Sequence, residues 1–262
     1  MPLLSETRDH VGILTLSRPE ARNAWGDDFR APLCAELDRM EADEDIRCVI
    51  LTGDERGKAF SAGANLKDPK SHSLGSVADL AHRLAKRRTH AINALWEFPK
   101  PLIAAVNGYA IGIGCIVTYC CDLIVASDRA EWRLPQSQLG IMPALGGLPR
   151  LARWVGKGHA MRIGMGFPLK ADEALRIGLA QWVVPHAELM AKAMEVAAHI
   201  VAQPPLATRF TKESLNSGMD IPSIGAAAMV DLYRFAALEM TEDKEESHVA
   251  WREKRPPKFR GR

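Results

Sequence analysis

Two short stretches of this chain hold residue types whose spacing suits chemistry. The first reads AFSAGANLK over residues 59–67, and the second reads LIAAVNGYAIGIGCIVTYCC over residues 102–121. Each is an apolar strand that breaks into a small-residue turn and then enters a helix. The first backbone N–H groups of such a helix have no partner within it and stand at its positive end. Two such turns facing one another would hold one oxygen between two N–H donors, which suits a carbonyl that gains negative charge as it reacts. Small residues at 62–64 let a ligand come close to the backbone. Two other chemistries fit less well. The pair Gly112 and Gly114 does not open a dinucleotide fingerprint, because Val117 stands at the third glycine position. Ser61 is not set in a G-x-S-x-G elbow and has no evident base nearby.

The elements around these turns follow from periodicity. Residues 11–16 alternate as a strand, and Leu33, Leu37 and Met40 form a helical stripe. Residues 47–52 (RCVILT), 102–106 and 123–126 are short apolar runs of the buried-strand type. Residues 68–76 are polar and broken by Pro69 and Gly75, which predicts a surface loop. A helix is expected from 77 to 96, ended by Pro99. From Leu145 onward the pattern turns almost wholly helical. Residues 186–201 carry Leu189, Ala193, Val196 and Ile200 on one face. Ser223 caps a helix bearing Ile224, Ala228, Leu232 and Phe235, and Thr241 opens a last one with Glu242 and Asp243 in its first turn. Alternating strands and helices followed by helices alone predict an α/β core with a C-terminal helical extension. The basic tail KRPPKFRGR is expected on the surface.

Composition narrows the partners. A net charge of +2 over 262 residues creates no basic field for nucleic acid. No apolar run approaches the roughly 20 residues that span a bilayer, and the N-terminus shows no secretory leader, so a cytoplasmic protein is expected. Cysteines number five, an odd count without a C-x-x-C pair, and Cys115, Cys120 and Cys121 share one apolar segment. Buried, reduced thiols are the simplest reading, and no metal is expected.

Five segments occur in a telling order: RPEARNA at 18–24, the AGANLK turn, the YAIGIGC turn, LPQSQLGIMPALGGLPRL at 134–151 and EESHVAWREKRPPKFRGR at 245–262. Together they resemble the crotonase (enoyl-CoA hydratase/isomerase) superfamily over nearly the whole chain. The resemblance implies an α/β, crotonase-like (ClpP/crotonase) spiral of ββα units. Residues 1–200 would form the core and residues 201–262 a helical trimerisation region, giving a homotrimer or a hexamer built as a dimer of trimers. It implies an acyl-CoA thioester as substrate, a lyase or isomerase activity, and no cofactor beyond the coenzyme A of the substrate. The oxyanion N–H donors would be Ala62 and Ile113. Coenzyme A would meet Arg22, Ala24, Ala64, Asn65 and Leu66, with Lys67 and Lys254 toward phosphate and Trp251 on adenine.

The chain departs from the family pattern where proton transfer is done. The two usual glutamate positions hold Ile116 and Gln136, and the position of an alternative aspartate holds Ala144. Ile113 stands where glycine is common, and Asn65 replaces an acidic residue. Asp68 and His72, just beyond the first turn, are the substitutes suggested by location. The implied function is stabilisation of a thioester enolate with atypical chemistry, such as decarboxylation, hydrolysis or C–C cleavage. The alternatives are a non-catalytic acyl-CoA-binding or assembly subunit, and a conventional hydratase/isomerase with a relocated acid and base.

Overall fold

Central strands with both faces covered are apolar at nearly every position, and three runs in this chain meet that condition. The computed structural model describes residues 2–65, 76 and 91–262. In chain order its strands are β1 (Leu3–Arg8), β2 (Val11–Leu16), β3 (Cys48–Gly53), β4 (Ala59–Ser61), β5 (Leu102–Val106), β6 (Tyr109–Ile111), β7 (Leu123–Ser127), β8 (Glu131–Arg133), β9 (Leu169–Lys170) and β10 (Trp182–Val184). Its helices are α1 (Asp27–Ala42), α2 (Ala91–Glu97), α3 (Ile113–Tyr119), α4 (Gly147–Gly164), α5 (Ala171–Arg176), α6 (Leu189–Val201), α7 (Pro205–Gly218), α8 (Ile224–Glu239) and α9 (Glu242–Glu253).

One sheet has the order β1-β2-β3-β5-β7-β10, parallel except for the β1–β2 hairpin. Along β3 the side chains alternate between two cores. Val49 and Leu51 face α1 and α2 with Leu33, Leu37, Met40 and Leu95, while Cys48 and Ile50 face α6 with Leu189, Ala193 and Val196. The continuous apolar run is the signature of that double burial.

The second sheet is small, with the order β4-β6-β8-β9. Strands β4, β6 and β8 run parallel, and β9 is antiparallel to β8. This sheet matters for function, because three parallel strands deliver their following residues to one edge.

The expected helices after Leu145 are present, with Ser223 accepting from the Ala226 N–H and Thr241 from the Lys244 N–H as caps. The expectation of an almost wholly helical second half is corrected at β9 and β10. These strands are two and three residues long, too short for a periodic signal, and β10 completes the main sheet beside β7. Strand β1 also escaped the pattern, since only Leu3 of its six side chains is buried. Of the helix expected from 77 to 96, residues 77–90 lie outside the described residues. The basic tail is mostly exposed but tethered. Arg260 and Gly261 donate backbone N–H groups to the Asp243 carboxylate, and Arg47 donates to the carbonyl of Phe259 at 2.7 Å. Among the described residues no helix is long and apolar enough to cross a membrane, and no cluster of side chains could hold a metal ion. All five cysteines are free thiols.

Candidate active site

The parallel pairing of β4, β6 and β8 explains why the two turns meet. Ser61 pairs with Ala110 and Ile111 with Arg133, so the segments after all three strands emerge side by side. After β4 come residues 62–65, after β6 come Gly112 and Ile113, and after β8 come Leu134, Pro135 and Gln136. The turns touch through their backbones. Gly63 has φ +88°, and a Cβ on it would lie 2.8 Å from the carbonyl oxygen of Ile111. Gly112 has φ +56°, a value that an L side chain rarely takes. A Cβ on Gly114 would lie 2.7 Å from the Ser61 carbonyl oxygen, so the first turn of α3 rests directly on the first loop.

A second support comes from residues 22–25. The Ala62 N–H donates to the Arg22 carbonyl at 3.0 Å, the Trp25 N–H to Gly63 at 2.7 Å, and the Asn65 N–H to Trp25 at 2.7 Å. This is a short parallel bridge in which Trp25 faces Ala64. In such a bridge the facing residue turns its own N–H to the opposite side. The Ala64 N–H therefore points away from Trp25, and it has no partner among the described residues. The N–H of Ile113, the first residue of α3, likewise has none. The resemblance assigned the first oxyanion donor to Ala62. That N–H is already committed to Arg22, and the donor left open on this turn is two residues later.

Asn23 holds this arrangement together and was not singled out from the sequence. It is fully buried with φ +57°. Its side-chain amide donates to the carbonyls of Asp54 at 2.9 Å and Ala59 at 2.7 Å, and its Oδ1 accepts from the Arg18 N–H at 3.0 Å. Asparagine tolerates the left-handed region and carries both donors and an acceptor, so one residue can tie three loops. The available signal was an asparagine inside a polar turn, which sequence alone does not distinguish from a solvated one.

The side chains beside the open donors are not acids. A Cβ on Gly112 would lie 3.3 Å from Gln136 Nε2, so the Gln136 amide stands against the second turn. Its Oε1 is buried and has no donor among the described residues. Ile116 is 3% exposed and rests on the start of α4, where a Cβ on Gly147 would come within 2.8 Å of its Cγ1. Ala144 is exposed on the loop before α4. Cys115 is fully buried with its Sγ against the Ala110 carbonyl at 2.8 Å, and burial pushes its thiol up to about 12, which removes it as a nucleophile at neutral pH. Ser61 is buried, and its hydroxyl accepts from the Gly63 N–H at 3.3 Å with no base hydrogen-bonded to it among the described residues.

The other expected site residues divide into three groups. Arg22, Ala24, Ala64 and Asn65 are brought together by the bridge, with Arg22 and Ala64 exposed and Ala24 buried. Leu66, Lys67, Asp68 and His72 lie outside the described residues. Trp251, 82% exposed, and Lys254 stand at the end of α9, and no hydrogen bond or ion pair among the described residues joins them to the turns.

The chain matches the family model described as enoyl-CoA hydratase/isomerase over residues 6–262. It is 36% identical to the 2,3-dehydroadipyl-CoA hydratase of Escherichia coli (strain K12) over 261 residues, which cover 99% of each chain. It is also 36% identical to the short-chain-enoyl-CoA hydratase of Clostridium acetobutylicum, covering 97% of this chain and 95% of that one. Among solved structures, an enoyl-CoA hydratase from Bacillus anthracis superposes with a TM-score of 0.91 at 30% identity, covering all of both chains. The mixed α/β fold expected from the sequence is the fold of these proteins.

Proposed function

Because this chain belongs to the enoyl-CoA hydratase/isomerase family, we propose that it binds an acyl-CoA thioester at the paired turns and stabilises the thioester enolate there, without the usual pair of proton-transferring carboxylates. The observation that carries this reading is the pair of open N–H groups, on Ala64 and Ile113, with Ile116 and Gln136 as the nearby side chains. The thioester oxygen would accept from both donors. Their bonds strengthen as negative charge moves onto that oxygen, and each such donor is worth about 10²–10³-fold in rate.

Hydration also needs a base to activate water and an acid to protonate the α-carbon, and each contributes about 10²–10⁴-fold. Neither isoleucine nor a glutamine amide exchanges a proton at neutral pH. Decarboxylation of a malonyl-type thioester, which carries its carboxylate on the α-carbon, needs neither group to begin. The bond between the α-carbon and the carboxylate breaks, carbon dioxide leaves, the electron pair flows into the thioester as the enolate, and the α-carbon then takes a proton from water. Thioester hydrolysis and retro-aldol C–C cleavage draw on the same charge stabilisation. The names of the relatives favour a second reading, a hydratase whose acid and base come from elsewhere, with Asp68 and His72 as candidates. A binding or assembly subunit is a third.

A panel of thioesters separates these readings. Carbon dioxide release from malonyl-type thioesters should exceed hydration of crotonyl-CoA. Hydration at ordinary enzymatic rates, about 1–10³ per second, would favour the second reading, and binding without any turnover the third.

A further inference from the structure

A cavity of about 650 Å³ lies away from the turns, and no residue of either turn lines it. It lies between α4 and α7, is bounded by the end of α2 and the start of β7, and opens to solvent. Helix α3 separates it from the oxyanion donors. Ile113 opens that helix, whereas Cys121 and Asp122, just past its other end, line the cavity. Seven residues of α-helix span about 10 Å. The wall is chiefly apolar, built from Trp96, Leu123, Trp154, Ile200, Leu215 and Met219. This volume is that of a small-molecule site, for which about 300–1,000 Å³ is usual.

The charges on the wall are unbalanced. Lys212 is paired with Asp122 at 2.7 Å and also donates to the Lys100 carbonyl at 3.0 Å. Arg153 is paired with Asp220. Arg150 has no carboxylate within ion-pair distance among the described residues. Its guanidinium sits 4.6 Å from the centre of the Trp96 ring, one Nη donates to the Leu145 carbonyl at 2.7 Å, and its Nε is buried without an acceptor. Among the described residues, Arg150 thus lines an apolar cavity over an aromatic ring and without a paired carboxylate. A guanidinium so placed suits a carboxylate, which it can engage with two parallel hydrogen bonds.

We propose that this cavity is a second binding site, distinct from the paired turns, for an unesterified amphipathic monocarboxylate such as a medium-chain fatty acid, with its carboxylate on Arg150 and its chain against Trp96, Trp154 and Leu215. The inference does not rest on the reaction proposed above.

Decanoate labelled with carbon-13 at the carboxyl carbon tests it on the full chain. Binding is measured by calorimetry against decanol, and the bound carboxyl is titrated by nuclear magnetic resonance. Decanoate should bind about tenfold tighter than decanol or better, as expected for a charge-assisted hydrogen bond, and the bound carboxyl should titrate below its free value. Arg150→Leu should erase the preference for the acid over the alcohol. Leu215→Trp, which adds bulk to the cavity wall from a mostly solvent-exposed position and leaves Arg150 in place, should weaken both ligands about tenfold or more. Equal affinity for acid and alcohol overturns the proposal, as does the absence of binding. Displacement of bound decanoate by stoichiometric decanoyl-CoA also overturns it, because the acid would then be sitting at the turns.

Discussion

A glutamate at position 116 would enter an apolar wall, because Ile116 lies against Gly147 and is 3% exposed. Without a partner there the acid form is favoured and its pKa rises. A glutamate at 136 would stand against Gly112, where the amide of Gln136 now lies. One raised and one ordinary carboxyl are what an acid/base pair requires. The double variant Ile116→Glu with Gln136→Glu should therefore raise hydration of crotonyl-CoA by at least about 10²-fold. The ceiling is several powers of ten, since each group is worth about 10²–10⁴ and paired groups do not add. Loss of the enoyl absorbance measures it, and no gain in a folded double variant would count against the assignment of these two positions. Position 62 carries a second lesson at this scale. Ala62 and Ala64 have the same side chain, and only the direction of the Ala62 N–H, toward Arg22, separates them.

The turn after β3 shows how an element is held for the site. The Asp54 carboxylate caps the short helical turn at Glu55–Gly57, accepting from the Arg56 N–H at 3.0 Å and Nη2 at 2.6 Å, and from the Ser17 hydroxyl at 2.7 Å. The Asp54 carbonyl accepts from Asn23, so this cap and the loop at 22–25 move together. The Arg56 guanidinium, followed by the other donors, holds the Asp54 carboxyl well below the usual carboxylate range. A depressed folded pKa gives stability that is complete above the unfolded value of about 3.9 and lost as pH falls toward the folded value. Arg56 itself is largely in solvent, so its share is screened. Asp54→Asn should lower stability at pH 7 by on the order of 1–2 kcal/mol, the usual range for hydrogen bonds to a charged group after screening. In urea titrations the gap between the two proteins should stay level from about pH 8 to 5 and shrink below about pH 4. A gap independent of pH would show that the charge of Asp54 contributes nothing.

At the scale of the whole molecule, α8 is out of place on a lone chain. None of its residues is buried, and Ile224, Leu232, Tyr233 and Phe235 are each more than half exposed. Large contiguous apolar surface of this kind marks an association site. Self-association is therefore expected, with a trimer or hexamer as the family resemblance implies. Sedimentation at micromolar concentration should show no stable monomer, and Leu232→Asp with Phe235→Asp should shift the protein toward one while the core stays folded.

Much of the fold could be read from the order of residues alone. Strands β2, β3, β5 and β7 announce themselves because burial on one or both faces imposes a pattern over five or six positions. The capped helices α8 and α9 do so because Ser223 and Thr241 satisfy local N–H groups. The two small-residue turns and the absence of acids at 116 and 136 are likewise plain in the sequence. Strand β4 shows only as the apolar lead-in to the first turn, and β6 and β8 do not show at all, since three residues carry no period. Their parallel pairing nevertheless brings three distant segments to one edge. Tertiary structure alone decided that the Ala62 N–H is taken, that Asn23 ties the loops, and that, among the described residues, the Ala64 N–H is open and Arg150 faces an apolar cavity without a counter-charge. Side-chain pattern reports which residues are buried. The direction of a single N–H, and the partner of a single charge, depend on contacts between segments far apart in the chain, and no local pattern encodes those.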